Sequence, residues 1–198
     1  MAAITIPDPS LVALIGAAGS GKTTFAARHF EPSEVLSSDA FRELISGDPA
    51  NQSVSRAAFD RLHHALARRL DDRKLTVVDA TNLGRSARRV LLRLASAAGV
   101  PTVAIVLDLP PEVILARNAA RATRVVDEDV VRLHIAQVRA LLDNPISDLA
   151  SEGFGQVVLL RDLVELDAST VVRRPEGRSA KGPRATVHGL LTDPDVTG

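Results

Sequence analysis

The apolar run Leu11-Val12-Ala13-Leu14-Ile15 stops at Gly16, and Ala17-Ala18-Gly19-Ser20-Gly21-Lys22-Thr23-Thr24 follows at once, an order that few folds accommodate. Unbroken apolar residues leave no solvent-facing side to the strand, so it must be covered on both faces. Sheets covered in that way are built from parallel strands joined by helical crossovers. The glycines mark a tight turn, and Lys22 to Phe30, rich in alanine, predicts a helix that Pro32 ends. This short stretch commits the chain to a strand-turn-helix unit of an α/β sheet.

The rest of the chain repeats the alternation. Val35-Leu36 reads as a second strand, with Ser38 or Asp39 able to cap the helix begun by Ala40-Phe41-Arg42. Phe59, Leu62, Leu66 and Leu70 recur at helical spacing between Val54 and Asp72. Leu75 to Asp79 predicts strand three, Ser86 to Ala98 a helix, and Val103 to Leu107 strand four. Pro110-Pro111 opens a helix expected to reach about Thr123, another spans about Glu128 to Leu142, and Gln156 to Leu160 supplies strand five. The fold class expected is α/β: a three-layer, doubly wound parallel sheet of about five strands, with ligands beyond the carboxyl ends of the strands. Residues 1–172 are expected to form this one domain, and 173–198, rich in Pro, Gly and charge, a mobile C-terminal tail.

Composition removes several classes of function. The chain has no cysteine, so no disulfide or thiolate zinc site holds it, and a reducing cytoplasmic setting is the expectation. The opening residues carry no signal-peptide pattern, and no apolar run is long enough for a membrane helix. Net charge is zero, which removes a broad pull on polyanions but leaves room for a local basic patch that grips a few phosphates. Aromatic residues are only 3%, all phenylalanine, so a platform stacking many bases is excluded and any strand contact is short.

Gly16 to Thr23 fits GxxxxGK[ST] in the strand-to-helix context that pattern requires. Its backbone N–H groups can turn toward phosphate oxygens, and the helix N-terminus adds partial positive charge. Gly16, Ala17, Ala18, Gly19, Ser20, Gly21, Lys22, Thr23 and Thr24 are therefore the candidate ATP-binding residues, with Lys22 on the β- and γ-phosphates and the Thr23 hydroxyl on Mg²⁺. Asp39, after strand two, can accept a hydroxyl proton if that strand neighbours the first, or it can simply cap its helix. Arg42 lies one helical turn on and can share a cleft with Asp39, or lie on the surface. Asp79 ends strand three as a carboxylate able to bind Mg²⁺ through water, or to cap the next helix. Arg117, Arg121 and Arg124 share one helix side if the helix reaches them, as a clamp on ATP or as a solvated face. His63-His64 are read as structural or surface, since no partner ligand completes a metal site.

Taken together, these segments resemble the 5′-kinase module of the bacterial polynucleotide kinase-phosphatases, within the P-loop kinases of adenylate-kinase-like fold. The likeness covers about Leu11 to Leu166. It rests on the glycine loop, Glu34-Val35-Leu36-Ser37-Ser38-Asp39 with Arg42, LTVVDATN from Leu75 to Asn82, AIVLDLP from Ala104 to Pro110, and the spaced arginines. The resemblance implies ATP and Mg²⁺ as cofactors and a 5′-OH end of RNA or DNA as substrate. It further implies Asp39 as general base, Arg42 on phosphate, and Arg117 over ATP with Arg121 and Arg124 beside it. Those kinase-phosphatases continue into a phosphatase domain opening with Asp-x-His; here Thr186-Val187-His188-Gly189 lacks the aspartate, so 3′-end healing is not expected. Two other functions fit the same residues: a kinase of a small hydroxyl metabolite, and a nucleotide-dependent switch that hydrolyses ATP slowly.

Overall fold

A computed structural model describes residues 3–121, 125–142, 145–175 and 186–188. Its main sheet is wholly parallel, in the order β3-β4-β2-β5-β6-β8, with helices on both sides. The central strand β2 (Leu11–Gly16) is buried at every position, as is β5 (Thr102–Leu107) beside it. β3 (Val35–Ser37), β4 (Thr76–Asp79) and β6 (Gln156–Leu160) complete the five strands expected from the sequence. β8 (Thr186–His188) pairs beyond β6.

Two apolar cores flank the sheet. On one side α1 (Lys22–His29) contributes Phe25 and Ala26, α5 (Pro111–Ala119) contributes Ile114, and α6 (Glu128–Leu142) contributes Val131 and Ile135. On the other, α3 (Ser55–Asp71) buries Leu62, Leu66 and Leu70 completely, one per turn, which the helical spacing predicts. Each such leucine contributes about 2 kcal/mol by removal from water. Leu91, Leu92 and Ala95 of α4 (Arg85–Ala97) and Leu149 of α7 (Pro145–Glu152) join that core.

Several features depart from the sequence reading. β1 (Ala3–Asp8) pairs in parallel with β7 (Thr170–Pro175) as a separate small sheet, and Ile4 and Ile6 of β1 enter the core. The boundary placed between residues 172 and 173 thus falls inside a strand. Arg173 donates from both terminal nitrogens to the Glu34 carboxylate at 2.8 and 2.7 Å, tying β7 to the main sheet's edge. Tail residues 176–185 and 189–198 lie outside the described residues. Short helices α7 and α8 (Leu163–Ala168) were not foreseen. No helix of the described residues is long and apolar enough to cross a membrane.

The order of strands sets the position of the site. β2 lies between β4 and β5, and the chain leaves β2 toward one edge and β5 toward the other. Such a reversal opens a crevice beyond the carboxyl ends of the strands.

Candidate active site

Gly21 is the N-cap of α1 at φ 95°, with no side-chain cap and no acidic residue in the first turn. The helix therefore presents its unpaired N–H groups and positive end to whatever enters the loop. Gly19, at φ 86°, presses on α5 so closely that a Cβ there would lie 2.6 Å from the Ile114 carbonyl oxygen. Lys22 is buried, and its ammonium donates to the carbonyls of Gly16 at 2.9 Å and Ala17 at 2.7 Å. Those bonds hold the charge over the glycine turn.

Asp79 closes β4 directly beside this loop and accepts a 2.8 Å hydrogen bond from the Thr23 hydroxyl. Burial pushes its carboxyl above the usual range, against the opposing pull of the Lys22 charge and the Thr23 bond. It caps nothing, since α4 begins only at Arg85, with Gly84 as N-cap. Two hard oxygens side by side suit Mg²⁺, which takes one or two protein ligands and completes its shell with phosphate and water. Among the described residues, no group of three or more His, Cys, Asp or Glu is placed to hold a metal.

The segment after Asp79 is braced from beneath. Asn82, at φ 50°, donates its amide to the Leu14 carbonyl at 2.8 Å, and the Thr81 carbonyl accepts from the Gly16 N–H at 3.1 Å. Arg88 is almost wholly buried in α4 and donates to the carbonyls of Asn82 and Leu83 at 3.0 and 2.6 Å. Its other nitrogens grip Glu152 of α7 bidentately, both at 2.7 Å. Sequence reasoning missed this strut because nothing local distinguishes Arg88 from its neighbouring arginines.

The condition set for Asp39, that β3 neighbour β2, is not met; β4 lies between them. Asp39 nevertheless reaches the crevice, because α2 (Ser38–Ser46) carries it forward from the strand end. Ser37, and neither Ser38 nor Asp39, is the N-cap, accepting from the Ala40 N–H. Arg42 is 4% exposed, which overturns a surface role; it pairs with Asp39 and donates to the Pro49 carbonyl at 2.9 Å. A cleft of about 480 Å³ joins Lys22, Thr23, Asp39, Arg42, Asp79 and Arg121.

Arg117 and Arg121 do not share a helix. α5 ends at Ala119, so Arg117 is helical and Arg121 lies past the end, while Arg124 is outside the described residues. The Arg117 guanidinium lies over Gly21, 3.0 Å from where a Cβ would stand, whereas Arg121 lines the cleft. Asn118 ends the helix by pinning the Val126 backbone with two hydrogen bonds, at 2.7 and 3.1 Å. Phe59, Gln52, Thr81, Val125, Asp127 and His134 also line the cleft. None was proposed as a site residue, and only Thr81, beside Asp79, stood near a signal that marks it. His63 is half-buried, its ring 6.0 Å from Phe59, and burial lowers its pKa, as befits a structural histidine.

No curated protein matches the sequence. Among solved structures, a chain of the Pnkp1/Rnl/Hen1 RNA repair complex superposes with a TM-score of 0.59 at 20% identity, over 70% of this chain and 46% of that one. This chain thus spans under half the length of that relative. The AvrRxo1-ORF1:-ORF2 complex with ATP superposes with a TM-score of 0.62 at 18% identity, over 78% and 55% of the two chains. The PezAT toxin-antitoxin system of Streptococcus pneumoniae gives 0.56 at 14% identity, over 78% and 67%. At these identities the likeness is one of fold, a P-loop kinase-like parallel sheet. The family model described as AAA domain (AAA_33) matches residues 11–145, and the chain belongs to that family.

Proposed function

We propose that this protein is an ATP- and Mg²⁺-dependent kinase that phosphorylates the 5′-hydroxyl end of RNA or DNA. The observation that carries this reading is the Asp39–Arg42 pair, set in the same cleft as Lys22, Thr23 and Asp79. A switch ATPase needs the loop and the carboxylate of β4 but has no use for a second carboxylate across the cleft.

In the proposed step the acceptor oxygen forms a bond to the γ-phosphorus while the bond to the β,γ-bridging oxygen breaks. The hydroxyl proton passes to Asp39. Lys22 exchanges its loop carbonyls for phosphate oxygens and neutralises charge developing between the β- and γ-phosphates. Arg42 holds Asp39 in place, and Arg121, in the same cleft, meets the transferring phosphoryl group. Arg117, over Gly21, lies against the nucleotide. Thr23 and Asp79 hold Mg²⁺, which when bound supplies further neutralisation of the phosphates.

The test is incubation with γ-labelled ATP, Mg²⁺ and a panel of 5′-OH oligonucleotides, nucleosides and sugars. Label on the oligonucleotide alone supports the reading. Label on a sugar or nucleoside instead identifies a metabolite kinase, and ATP hydrolysis with no labelled acceptor identifies a switch. Asp39→Asn should bind ATP normally and lose about 10²- to 10⁴-fold in transfer, the usual worth of a general base.

A further inference from the structure

Although the net charge is zero, the charge is not evenly placed. α4 carries Arg85, Arg88, Arg89 and Arg93 and no acidic residue. Arg88 is spent on Glu152, but Arg85, Arg89 and Arg93 are exposed and follow one another at i, i+4 and i+8. They form a stripe with about 6 Å of helix rise between successive guanidinium stems, and about 12 Å from first to last. Arg85 has Glu152 at 3.6 Å; Arg89 and Arg93 make no ion pair among the described residues.

Helix stability does not explain the arrangement. A cation in the first turn of a helix faces its positive end and costs stability there. Arg85 occupies that end, with no acidic residue in the first turn to offset it.

The stripe also begins at the cleft. Thr81 lines the cleft, and Asn82 to Gly84 lead from it directly into Arg85. α3 packs beside α4. Arg93 lies close enough to His63 of α3 for its charge to oppose protonation there, with Asp60 the carboxylate acting the other way. Arg56, two turns before His63 on the same side of α3, is exposed and without an ion pair among the described residues.

We infer that Arg85, Arg89 and Arg93, with Arg56 on the neighbouring α3, bind successive backbone phosphates of the acceptor strand as it leaves the cleft. This rests on the proposed acceptor being a nucleic acid. A guanidinium takes a phosphate by two parallel hydrogen bonds, and the stem spacing lets each arginine hold a phosphate of its own. Strand length beyond the first nucleotides would then raise affinity without changing the transfer step.

The test compares Arg89→Glu/Arg93→Glu with Arg61→Glu/Arg68→Glu, a control with the same charge change on the α3 flank about 120–140° away from Arg56. Binding is read by anisotropy of a labelled, 5′-phosphorylated strand of about twelve nucleotides over a salt series, so no turnover is needed. The stripe variant should bind at least roughly tenfold more weakly, with a log–log salt slope shallower by about 1.4, two single-strand phosphate contacts. Its melting temperature, kcat and KM for a dinucleotide acceptor should match wild type, while KM for the long acceptor rises by a similar factor. Equal binding by the stripe variant, equal loss in the control, or displacement of the strand by polyglutamate at matched charge overturns the inference. If wild type binds the strand through the stripe but labels no strand, the kinase proposal fails and the strand-binding face stands.

Discussion

Arg88→Met removes the guanidinium that joins the end of β4 to α7 while keeping most of the side-chain volume. Arg88 and Glu152 are 3% and 7% exposed, so the substitution leaves a buried carboxylate without its partner. Breaking such a pair costs about 3–5 kcal/mol. The orphaned carbonyls of Asn82 and Leu83 add to this, but Arg85, 3.6 Å from Glu152 and mostly exposed, can swing in and recover part of it. The net expectation is about 3 kcal/mol. For a chain of this length that lowers Tm by roughly 6–12 °C. The double variant Arg88→Met/Glu152→Met should be more stable than the single, since no buried carboxylate is left without a partner, yet stay below wild type because the two carbonyls still lack their donor. ATP affinity should fall in both variants, because the two carbonyls beside the Asp79 segment lack their donor in each. Urea unfolding with calorimetric ATP titration reads both effects. A single variant that melts within about 1 °C of wild type, or a double variant no more stable than the single, refutes the strut.

Gly19→Ala should lower stability by about 1–3 kcal/mol and abolish ATP binding, because its left-handed backbone and the Ile114 carbonyl at 2.6 Å leave a Cβ no room; normal urea unfolding would count against that close approach. Lys22→Ala should keep the fold, since its hydrogen bonds to loop carbonyls and the Ser20 hydroxyl do not reach the sheet core, yet lose transfer to every acceptor in the labelling assay. His29 and His63 both have pKa values lowered by burial, so the unfolded chain binds more protons just below pH 6.5 and stability should fall as pH drops through that value. Melting curves of His29→Leu/His63→Leu should show that fall flattened, and an unchanged pH profile would remove the two histidines from it.

The parts of the fold legible in the sequence are those whose signal is local. β2 and β5 announce themselves as unbroken apolar runs because both faces are covered, and α3 shows its leucine stripe because one face is. β1 and β7 were missed because their partnership joins segments more than 160 residues apart, and β7 is largely exposed, so it carries no apolar pattern. Strand order was illegible for a related reason. That β4, and not β3, lies beside β2 is decided by how the crossover helices pack, which no strand's own residues record.

The site divides along the same line. That Lys22, Thr23 and Asp79 lie together was legible because loop, helix start and strand end are fixed by neighbours in the chain, and Asp39 joins them in the cleft because it shortly follows a strand. The arginines show where local reasoning stops. Spacing alone put Arg117, Arg121 and Arg124 on one helix, but Asn118 trades continued helix for two bonds to Val126, and Arg117 and Arg121 then reach different places. Spacing alone also made Arg85, Arg88, Arg89 and Arg93 look equivalent. Only the position of Glu152 separates the one that braces the segment after β4 from the three that face outward. An arginine's role here is set by which carboxylate the fold brings to it, so a chain with zero net charge can carry both a buried strut and an open basic stripe on a single helix.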